Sequence, residues 1–388
     1  MVPTHRRVAL LGATGSIGRQ TLEVLRREPD RFELVAISGG EQLEELASIQ
    51  REFSVAHVGV KTTAHRDKLR ELVASSVEVV VGDEGLLALA RDADVVVNAV
   101  VGFAGLPVTI GALESGARLA LANKESLIAA APLVAKARTT RGAELVPVDS
   151  EHCAIYQCLV GASQEPGRPD VRRLLLTASG GPFRGWTKER LRGATRADAL
   201  HHPTWSMGEK ITIDSSTLMN KGLEVLEASA LFGVEVDRVE VVVHPQSVVH
   251  SMVEFVDGSV LAQLSRPDMR LPIAYCLGLP ERLDHRWGEL DFAAGLDLSF
   301  EAPDREAFPA LDLAYEAAHL GGAAPAWLSA ANEVAVEAFL GGRIAWVDIV
   351  AIVASVMDRY EGDPLDTLAA LYANDATARR LATASLPR

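Results

Sequence analysis

The fold of this chain is decided by the stretch Val8-Ala9-Leu10-Leu11-Gly12-Ala13-Thr14-Gly15-Ser16-Ile17-Gly18. Its apolar start is typical of a buried strand, and Ser16–Arg27 has the apolar spacing of an amphipathic helix. Where a glycine turn joins a strand to a helix, the backbone N–H groups and the helix dipole favour a bound phosphate. The stretch therefore predicts a nucleotide site at the first strand–helix junction. The alternative is a glycine turn that serves only tight packing of the strand against the helix.

Strand-like and helix-like segments alternate through the first 150 residues. Further strands are predicted at Phe32–Ile37, Val77–Val81, Val95–Val100 and Arg118–Ala122, and a second helix at Gln42–Phe53. Strands of nearly continuous apolar character, separated by helices, indicate a parallel sheet covered on both faces. Residues 1–149 are therefore predicted to form a doubly wound α/β domain of the Rossmann-like type.

The pattern changes after Val148. Closely spaced strands with a turn signal favour antiparallel pairing and an α+β central domain over residues 150–285. These strands are predicted at Val239–His244, Val248–Phe255 and Val260–Gln263, with Asp257-Gly258 as the turn. Residues 286–388 begin with a connection and continue with alanine- and leucine-rich segments, which predict a C-terminal α-helical bundle. Its helices are expected at Ala310–Leu320, Ala326–Leu340, Trp346–Tyr360 and Leu365–Thr383.

Charge and cysteine content exclude several classes of function. The formal net charge is −14, and so acidic a chain repels a nucleic-acid backbone, although a few lysines can still hold a small anion. The three cysteines form no CxxC pair, which fits a reducing compartment. The sequence has neither a secretory leader pattern nor an apolar run of about 18 residues. We therefore expect a cytoplasmic protein with no membrane segment and no nucleic-acid partner.

The end of the second strand bears on the choice of dinucleotide. An NAD site usually ends this strand with a carboxylate for the ribose 2′-OH. Here the strand ends Ser38-Gly39-Gly40, and Glu41 and Gln42 follow. The missing carboxylate favours NADP.

Two carboxylates lie close together in Val148-Asp149-Ser150-Glu151-His152. An extended backbone would project Asp149 and Glu151 to the same face, where they repel unless a proton or a cation lies between them. Oxygen ligands without cysteine favour Mg²⁺ or Mn²⁺ over zinc. The segment predicts either a metal site or a solvated acidic strand end.

A third carboxylate ends the segment Ile213–Glu224, which is predicted to start a helix capped by Asp214 or Ser215. Three polar residues would then lie on one face within one turn, namely Asn220, Lys221 and Glu224. Such a cluster among apolar neighbours suits a phosphorylated, hydroxylated ligand together with a cation. The alternative is a surface helix that carries a simple Lys–Glu pair.

Three polar loops fit the same interpretation. Asn123-Lys124-Glu125 follows a predicted strand, at the sheet edge where doubly wound domains bind ligands. Thr177–Pro182 offers backbone N–H groups and a hydroxyl to a phosphate. His201–Gly208 combines histidine with Trp205 and Met207, which suggests a lid over residues 201–210. Singly, each loop also fits an ordinary turn, a capping serine or a partly buried histidine.

Together these segments resemble the 1-deoxy-D-xylulose 5-phosphate reductoisomerase family. The resemblance is carried, in order along the chain, by Gly12–Gly18, Asn123–Ser126, Val148–Cys153, Ser179–Arg184, His202–Gly208, Asp214–Ala228 and His244–Glu254. It implies conversion of 1-deoxy-D-xylulose 5-phosphate to 2-C-methyl-D-erythritol 4-phosphate in mevalonate-independent isoprenoid precursor synthesis. Retro-aldol cleavage and aldol re-addition would be followed by hydride transfer from NADPH. The resemblance also implies a homodimer.

The resemblance further implies a role for each matching residue. A metal ion, Mn²⁺ or Mg²⁺, would be held by Asp149, Glu151 and Glu224, and Lys124 and His202 would complete the catalytic set. The substrate would be bound by Lys124, Ser150, Glu151, Ser179, His202, Ser215, Asn220, Lys221 and Glu224. NADPH would be bound by Thr14, Gly15, Ser16, Ile17, Gly39, Gly40, Gln42, Asn123, Glu125 and Gly208.

Few positions depart from the family pattern. Glu41 stands where members often carry a basic residue, Ala178 replaces a common glycine and Thr204 replaces a common asparagine. Two other functions stay open at this point: an NADP-dependent dehydrogenase of the aspartate-semialdehyde or homoserine type, and a non-catalytic NADP-binding sensor. The dehydrogenase would need no metal carboxylates, and the sensor would bind NADPH without oxidising it.

Overall fold

The structure, a computed structural model, describes residues 5–162 and 170–387. These residues form two compact units. Unit 1 comprises the described residues of Met1–Leu127, Pro132–Cys153 and Asp268–Trp287, and unit 2 those of Ile128–Ala131, Ala154–Pro267 and Gly288–Arg388. The division into domains at 1–149, 150–285 and 286–388 stays a prediction. In the described part of the chain, no helix is both long and apolar enough to cross a bilayer.

The strands and helices follow one another in the alternating order that the sequence predicted for the N-terminal part. The strands are β1 (Arg6–Leu11), β2 (Phe32–Gly39), β3 (His57–Val60), β4 (Glu78–Val81), β5 (Val95–Asn98), β6 (Arg118–Leu121), β7 (Glu144–Pro147), β8 (Val171–Ala178), β9 (Val239–Val243), β10 (Val249–Phe255) and β11 (Val260–Leu264). The helices are α1 (Ser16–Arg27), α2 (Leu43–Phe53), α3 (Thr63–Arg70), α4 (Gly82–Arg91), α5 (Leu106–Glu114), α6 (Lys124–Ala129), α7 (Ala131–Ala137), α8 (Ser150–Gly161), α9 (Lys188–Leu191), α10 (Arg196–Leu200), α11 (Glu209–Ser216), α12 (Met219–Phe232), α13 (Arg270–Gly278), α14 (Ala310–Leu320), α15 (Ala324–Leu340), α16 (Trp346–Met357) and α17 (Leu368–Ala384). Two short 3₁₀ turns cover Gly102–Gly105 and Val236–Arg238.

A parallel sheet forms the core of unit 1. Its strands lie in the order β4-β3-β2-β1-β5-β6-β7, and every neighbouring pair is parallel. The chain first builds outward from β1 to β4 and then continues with β5 on the other side of β1. This reversal confirms the predicted doubly wound fold and places its switch point, where such sheets bind ligands, between β1 and β5.

β3 and α13 are among the elements of unit 1 that were not predicted. β3 is only four residues long and carries a glycine, so its sequence gives little strand signal. α13 lies far along the chain but packs against α1, β6 and β7. Its C-terminal carbonyl groups accept hydrogen bonds from Arg6 and Arg118, both of which contact the carbonyl oxygen of Leu279 (2.7 and 2.8 Å). Cations at that end of a helix also complement its dipole.

A mixed sheet and a helical bundle form unit 2. The strand order is β11-β10-β8-β9, with β10 antiparallel to both its neighbours and β8 parallel to β9. Gly258 has φ +84°, which confirms the predicted turn between β10 and β11. α12 packs against β8 and β9 and also against α14. Gly222 permits this close approach, because a Cβ there would lie 2.7 Å from the Cβ of Ala314. The helices α14 to α17 pack together as the predicted bundle.

Candidate active site

Two glycines of the turn after β1 are required by packing. Gly12 has φ +95°, and a Cβ built on it would lie 2.4 Å from the carbonyl oxygen of Ala99. A Cβ on Gly18 would lie 2.3 Å from the carbonyl oxygen of Gly12. Gly15 differs, because a Cβ there would lie 3.4 Å from its nearest neighbour, the carbonyl oxygen of Gly12. Gly15 is the N-cap residue of α1, so no side chain caps the first backbone N–H groups of this helix. The start of α1 therefore presents backbone N–H groups at the switch point, as an anion site requires.

The end of β2 lies against this turn. The carbonyl oxygen of Ser38 accepts a hydrogen bond from the backbone N–H of Gly12 (3.1 Å). A Cβ on Gly39 would lie 3.4 Å from Oγ1 of Thr14, whereas a Cβ on Gly40 would meet no described atom within 4 Å. The structure thus brings Thr14 and Gly39 side by side, next to open space at Gly40.

Most of the other predicted cofactor residues lie at helix starts. Ser16 and Ile17 are the first residues of α1, and Gln42 is the N-cap residue of α2. Glu125 is in the first turn of α6, and Gly208, which belongs to unit 2, is the N-cap residue of α11. Their contacts with a cofactor stay predictions.

Asn123, predicted to contact the cofactor, has its side chain engaged by the protein. Its Nδ2 donates to the carbonyl oxygens of Val100 (2.6 Å) and Gly102 (2.7 Å), and its Oδ1 accepts from the backbone N–H of Ser126 (2.9 Å). The side chain therefore fastens the loop after β5 to the start of α6. A contact between Asn123 and the cofactor stays a prediction.

A buried ion pair joins the carboxyl ends of β6 and β7. Lys124 starts α6 directly after β6, and Asp149 follows β7. Nζ of Lys124 lies 2.9 Å from Oδ2 of Asp149, and both side chains are largely shielded from solvent. Because neighbouring parallel strands end at the same edge, the sheet itself brings this pair together. A buried ammonium and carboxylate are each stabilised by the other, whereas either alone would be costly.

The segment after Asp149 is helical, so the extended backbone considered from the sequence does not form. Ser150 and Glu151 form the first turn of α8, and Oδ1 of Asp149 accepts a hydrogen bond from the backbone N–H of Glu151 (3.2 Å). The helix turn nevertheless keeps the acidic side chains together, since carboxylate oxygens of Asp149 and Glu151 lie within 4.8 Å of each other. The Ser150 hydroxyl donates to Glu151, and Nδ1 of His152 lies 3.4 Å from Oδ1 of Asp149. An all-oxygen pair of this kind suits a hard divalent cation.

In unit 2, Ser179 and His202 are in contact although 23 positions separate them. Oγ of Ser179 lies 3.0 Å from Nε2 of His202 and accepts a hydrogen bond from the backbone N–H of Gly181 (3.2 Å). Burial lowers the pKa of His202 to about 4. The imidazole is therefore neutral at physiological pH.

The glycine turn that follows β8 lies directly against α11. Gly180 and Gly181 have φ values of +85° and +69°, so both favour glycine. A Cβ on Gly181 would lie 2.5 Å from the carbonyl oxygen of Ser215 and 3.5 Å from its hydroxyl. Ser179 and Ser215, both predicted to bind phosphate, therefore lie on either side of the glycine turn. We call Ser179, Gly180, Gly181 and Ser215 the serine–glycine cradle.

The predicted helix cap at Asp214 or Ser215 is wrong, because both residues lie inside α11. The chain breaks after α11 at Leu218, which has φ +60°, and only then starts α12. A left-handed leucine carries no sequence signal that distinguishes it from a helical one.

The predicted clustering of three polar residues on α12 is confirmed. Glu224 accepts hydrogen bonds from Nδ2 of Asn220 and from Nζ of Lys221. Lys221 and Glu224 are almost completely buried. The alternative of an exposed surface pair is therefore excluded. A buried polar cluster of this kind, with one ammonium and one carboxylate, can hold both an anionic group and a cation.

The segment predicted as a lid has no regular structure between 201 and 208, and α11 begins at Glu209. The indole ring of Trp205 packs edge-on against the imidazole of His250, with 6.1 Å between ring centroids. Met207 is half-buried. Movement of this segment stays a prediction.

Sequence reasoning missed the residues that support the cradle from the helical bundle. Nε1 of Trp346 on α16 donates to Oγ of Ser216 (2.8 Å), and its ring packs edge-on against Phe183, which follows the glycine turn. Nδ2 of Asn332 on α15 donates to Oδ1 of the buried Asp214 (2.7 Å). Trp346 and Ser216 are 130 positions apart, so no local pattern could have revealed the contact.

The fold and these clusters define a class of protein. A doubly wound sheet with a glycine turn at its switch point is typical of dinucleotide-binding enzymes. A carboxylate pair and a serine–glycine cradle add the oxygen donors and hydrogen-bond donors that a cation and a phosphate require.

Comparison with known proteins specifies the class further. Three family models match: 1-deoxy-D-xylulose 5-phosphate reductoisomerase at residues 8–131, its C-terminal domain at 145–232 and the DXP reductoisomerase C-terminal domain at 264–381. A reductoisomerase of that name from Thermosynechococcus vestitus is 48% identical over 95% of this chain and 90% of its own length. One from Xanthomonas oryzae is 50% identical over 98% of this chain and 97% of its own length.

Solved structures agree with these matches. The Zymomonas mobilis enzyme in complex with NADPH has a TM-score of 0.90 at 43% identity and covers 98% of each chain. A reductoisomerase in complex with NADPH, fosmidomycin and magnesium has a TM-score of 0.89 at 41% identity, with the same coverage. The chain belongs to the 1-deoxy-D-xylulose 5-phosphate reductoisomerase family, as the sequence resemblance predicted.

Proposed function

We infer that this protein is a reductoisomerase that converts 1-deoxy-D-xylulose 5-phosphate to 2-C-methyl-D-erythritol 4-phosphate, with NADPH and a divalent metal ion. The observation that carries this inference is the match to relatives at 48% and 50% identity over nearly the whole chain. The matched region includes the glycine turn, the acidic pair and the serine–glycine cradle. Rearrangement and reduction of a phosphorylated keto-sugar need a hydride donor, a Lewis acid and a phosphate site, so each cluster has a role.

The residues of the turn fit NADPH, which supplies the hydride that reduces the rearranged aldehyde. The support is the tight turn that Gly12 and Gly18 permit, which places the start of α1 at the switch point and leaves its first backbone N–H groups for an anion. We assign the cofactor to Thr14, Gly15, Ser16, Ile17, Gly39, Gly40, Gln42, Asn123, Glu125 and Gly208.

The metal ligands in this proposal are Asp149, Glu151 and Glu224. All three offer carboxylate oxygens, which Mg²⁺ and Mn²⁺ prefer. Asp149 and Glu151 already lie within 4.8 Å of each other, and Glu224 is a buried carboxylate oriented by Asn220 and Lys221. When bound, the ion is a Lewis acid toward the keto and hydroxyl oxygens of the sugar.

Lys124 and Ser150 are assigned to the hydroxyl groups of the sugar. The ammonium of Lys124 donates a hydrogen bond to Asp149 and places a positive charge at the carboxyl end of β6, where a substrate oxygen would bind. Because the pair is buried, its charge acts on the reacting atoms with little screening by water. Lys124 therefore stabilises negative charge that develops on the sugar oxygens during the carbon–carbon rearrangement.

The phosphate group of the substrate is assigned to the cradle of unit 2. Ser179 and Ser215 offer hydroxyl groups, and Lys221 offers a buried positive charge. Asn220 adds an amide, and His202 stays neutral because burial lowers its pKa to about 4. This set neutralises a phosphate mainly through one lysine and through hydrogen bonds.

The two other functions considered from the sequence are not favoured. A simple NADP-dependent dehydrogenase has no need of the carboxylates at Asp149, Glu151 and Glu224, which this chain carries within its family match. A non-catalytic sensor would have no need of the buried pair between Lys124 and Asp149.

A homodimer is the assembly we propose. β11 is an edge strand of the mixed sheet, and it exposes apolar side chains, among them Val260 and Leu261. Phe292 and Phe300 of the same unit are also exposed. An apolar edge strand is prone to pair with another chain, and a two-fold dimer would cover it. Light scattering of the purified protein tests this assignment.

We also place the protein in the cytoplasm. Its cysteines, Cys153, Cys158 and Cys276, are buried and form no disulfide with one another, which suits a reducing compartment. Burial raises the pKa of the Cys158 thiol to about 11, so that thiol is unreactive.

The direct test of the function follows the absorbance of NADPH with 1-deoxy-D-xylulose 5-phosphate as the substrate. We expect oxidation that depends on both the substrate and the ion, is lost with a chelator and returns with Mn²⁺ or Mg²⁺. Oxidation that survives chelation would indicate a simple dehydrogenase. Binding of NADPH without substrate-dependent oxidation would indicate a sensor.

A further inference from the structure

Arg19 on α1 is fixed beside the end of β2 by side chains of α2. Its Nε and Nη2 donate to the two carboxylate oxygens of Glu45, at 2.7 Å each, and Nη2 also donates to Oε1 of Gln42 (3.1 Å). Gln42 is the N-cap residue of α2 and follows Gly40 by two positions. The guanidinium is therefore held at the point where a doubly wound domain meets the adenosine ribose.

This position decides which dinucleotide such a domain accepts. A carboxylate at the end of the second strand binds the ribose 2′-OH of NAD, whereas a nearby arginine accommodates the 2′-phosphate of NADP. Here the strand ends in glycine, with open space at Gly40. The first carboxylate after it is Glu41, whose Oε2 lies 3.2 Å from Nε2 of His65. Glu41 thus has an imidazole beside it while 83% of its side chain stays exposed, and Arg19 supplies the guanidinium.

We propose that Arg19 binds the 2′-phosphate of NADPH and makes this chain prefer NADPH to NADH. The proposal rests on the proposed use of a nicotinamide dinucleotide. Within the described residues, Nη1 of Arg19 makes no hydrogen bond, so it can donate to a phosphate while Nε and Nη2 keep their partners. A guanidinium already held in one orientation loses little conformational entropy when it binds.

The ion pair between Arg19 and Glu45 is explained better by a role in binding the 2′-phosphate than by a contribution to folding stability. Both side chains are partly exposed, at 51% for Arg19 and 33% for Glu45, and pairs of that kind contribute little to folding. The bidentate geometry neutralises Glu45, which would otherwise repel a phosphate. It also holds the guanidinium in one orientation, with Nη1 left for the phosphate.

The same two helices provide a matched control. Arg26 pairs with both carboxylate oxygens of Glu52 (2.5 and 2.8 Å), so it repeats the Arg19–Glu45 contact about two helical turns further along α1. Arg19→Gln and Arg26→Gln therefore each remove one exposed pair between α1 and α2. Only the first removes a cation that contacts Gln42, the N-cap residue of α2.

The experiment measures binding of adenosine 2′,5′-bisphosphate and of adenosine 5′-monophosphate by calorimetry, and KM for NADPH and NADH in turnover. We expect Arg19→Gln to weaken binding of the bisphosphate by roughly tenfold to a hundredfold, as loss of a charge-assisted hydrogen bond does. Its binding of the monophosphate and its KM for NADH stay as in the unmodified protein, and Arg26→Gln changes neither ligand.

Three outcomes would overturn the proposal: an unchanged affinity for the bisphosphate, an equal loss for both nucleotides, or an equal loss in Arg26→Gln. Each of them would leave the proposed reaction standing if NADPH is still oxidised with the sugar phosphate. Conversely, selective binding of the bisphosphate without turnover would support Arg19 and count against the proposed reaction.

Discussion

Nε2 of His202 lies 3.0 Å from the hydroxyl oxygen of Ser179. The contacts of the other ring nitrogen, Nδ1, determine whether Nε2 or the hydroxyl group is the donor. Nδ1 of His202 accepts hydrogen bonds from the backbone N–H groups of Thr204 (3.1 Å) and Trp205 (2.9 Å), so it carries no proton. The proton of the neutral ring is therefore on Nε2, which donates to Ser179. Because the Ser179 oxygen also accepts from Gly181, its own proton is available to a phosphate oxygen.

Folding stability should depend on pH through His202. Burial lowers the pKa of His202 to about 4 in the folded protein, whereas an unfolded histidine titrates near about 6.5. The unfolded chain thus binds more protons between these values, and the contribution of His202 to stability is complete above pH ~6.5 and falls as the pH decreases toward ~4. We expect the free energy of unfolding, measured with denaturant, to fall less over this window in His202→Gln than in the unmodified protein.

The neighbouring imidazole is the control for that measurement. His201→Gln replaces an exposed side chain outside the contact between Ser179 and His202, so it should not reproduce the effect of His202→Gln. If His202→Gln and the unmodified protein lose stability equally as the pH falls, the neutral, buried state assigned to His202 is wrong.

Glu224→Gln should abolish turnover while leaving NADPH binding nearly intact. The change removes the charge of a proposed metal ligand but keeps its shape, so the loss in kcat should be about a thousandfold or more. Calorimetry with Mn²⁺ and fluorescence titration with NADPH separate the two effects. Glu240→Gln, an exposed glutamate on β9, serves as the control. Normal turnover of Glu224→Gln would show that the ligand assignment is wrong.

Trp346→Phe should weaken substrate binding without a matching loss of kcat. The variant loses the hydrogen bond to Ser216 but keeps an aromatic ring against Phe183, so the cradle is loosened and the bundle stays packed. We expect KM for the phosphorylated substrate to rise roughly threefold to tenfold, the effect of one modest hydrogen bond.

A second tryptophan of the bundle is the control for Trp346. Nε1 of Trp327 donates to Oδ1 of Asn374 (2.6 Å), in a contact that includes no residue of the cradle. Trp327→Phe should lower the unfolding temperature as much as Trp346→Phe and leave KM unchanged. An equal rise of KM in both variants would mean that general loosening of the bundle, not support of the cradle, is responsible.

Local patterns were sufficient for much of the fold and for part of the site. The helix at Ser16–Arg27 was predicted to the residue, because a glycine turn and a 3.6-residue apolar spacing are both local signals. The Asn220–Glu224 cluster followed in the same way from spacing on one helix. The break at Leu218 could not be predicted, since tertiary packing and not residue type holds its φ at +60°. The contacts of Trp346 and Asn332 join distant segments, so only the folded chain reveals them.

The glycine turn offers the sharpest test of the nucleotide site, because Gly12 in the turn is closely packed whereas Gly40, after β2, has open space around it. In Gly12→Ala the new methyl group would meet a carbonyl oxygen at 2.4 Å on a backbone with φ +95°, so we expect a loss of about 2–4 kcal/mol in unfolding free energy together with weaker NADPH binding. In Gly40→Ala the methyl group would meet no described atom within 4 Å, and the unfolding free energy should stay within about 0.5 kcal/mol. Denaturant unfolding of both variants tests the contrast. If Gly12→Ala proves as stable as Gly40→Ala, the strand–turn–helix junction is looser than the structure shows, and the backbone N–H groups at the start of α1 are not held ready for a phosphate.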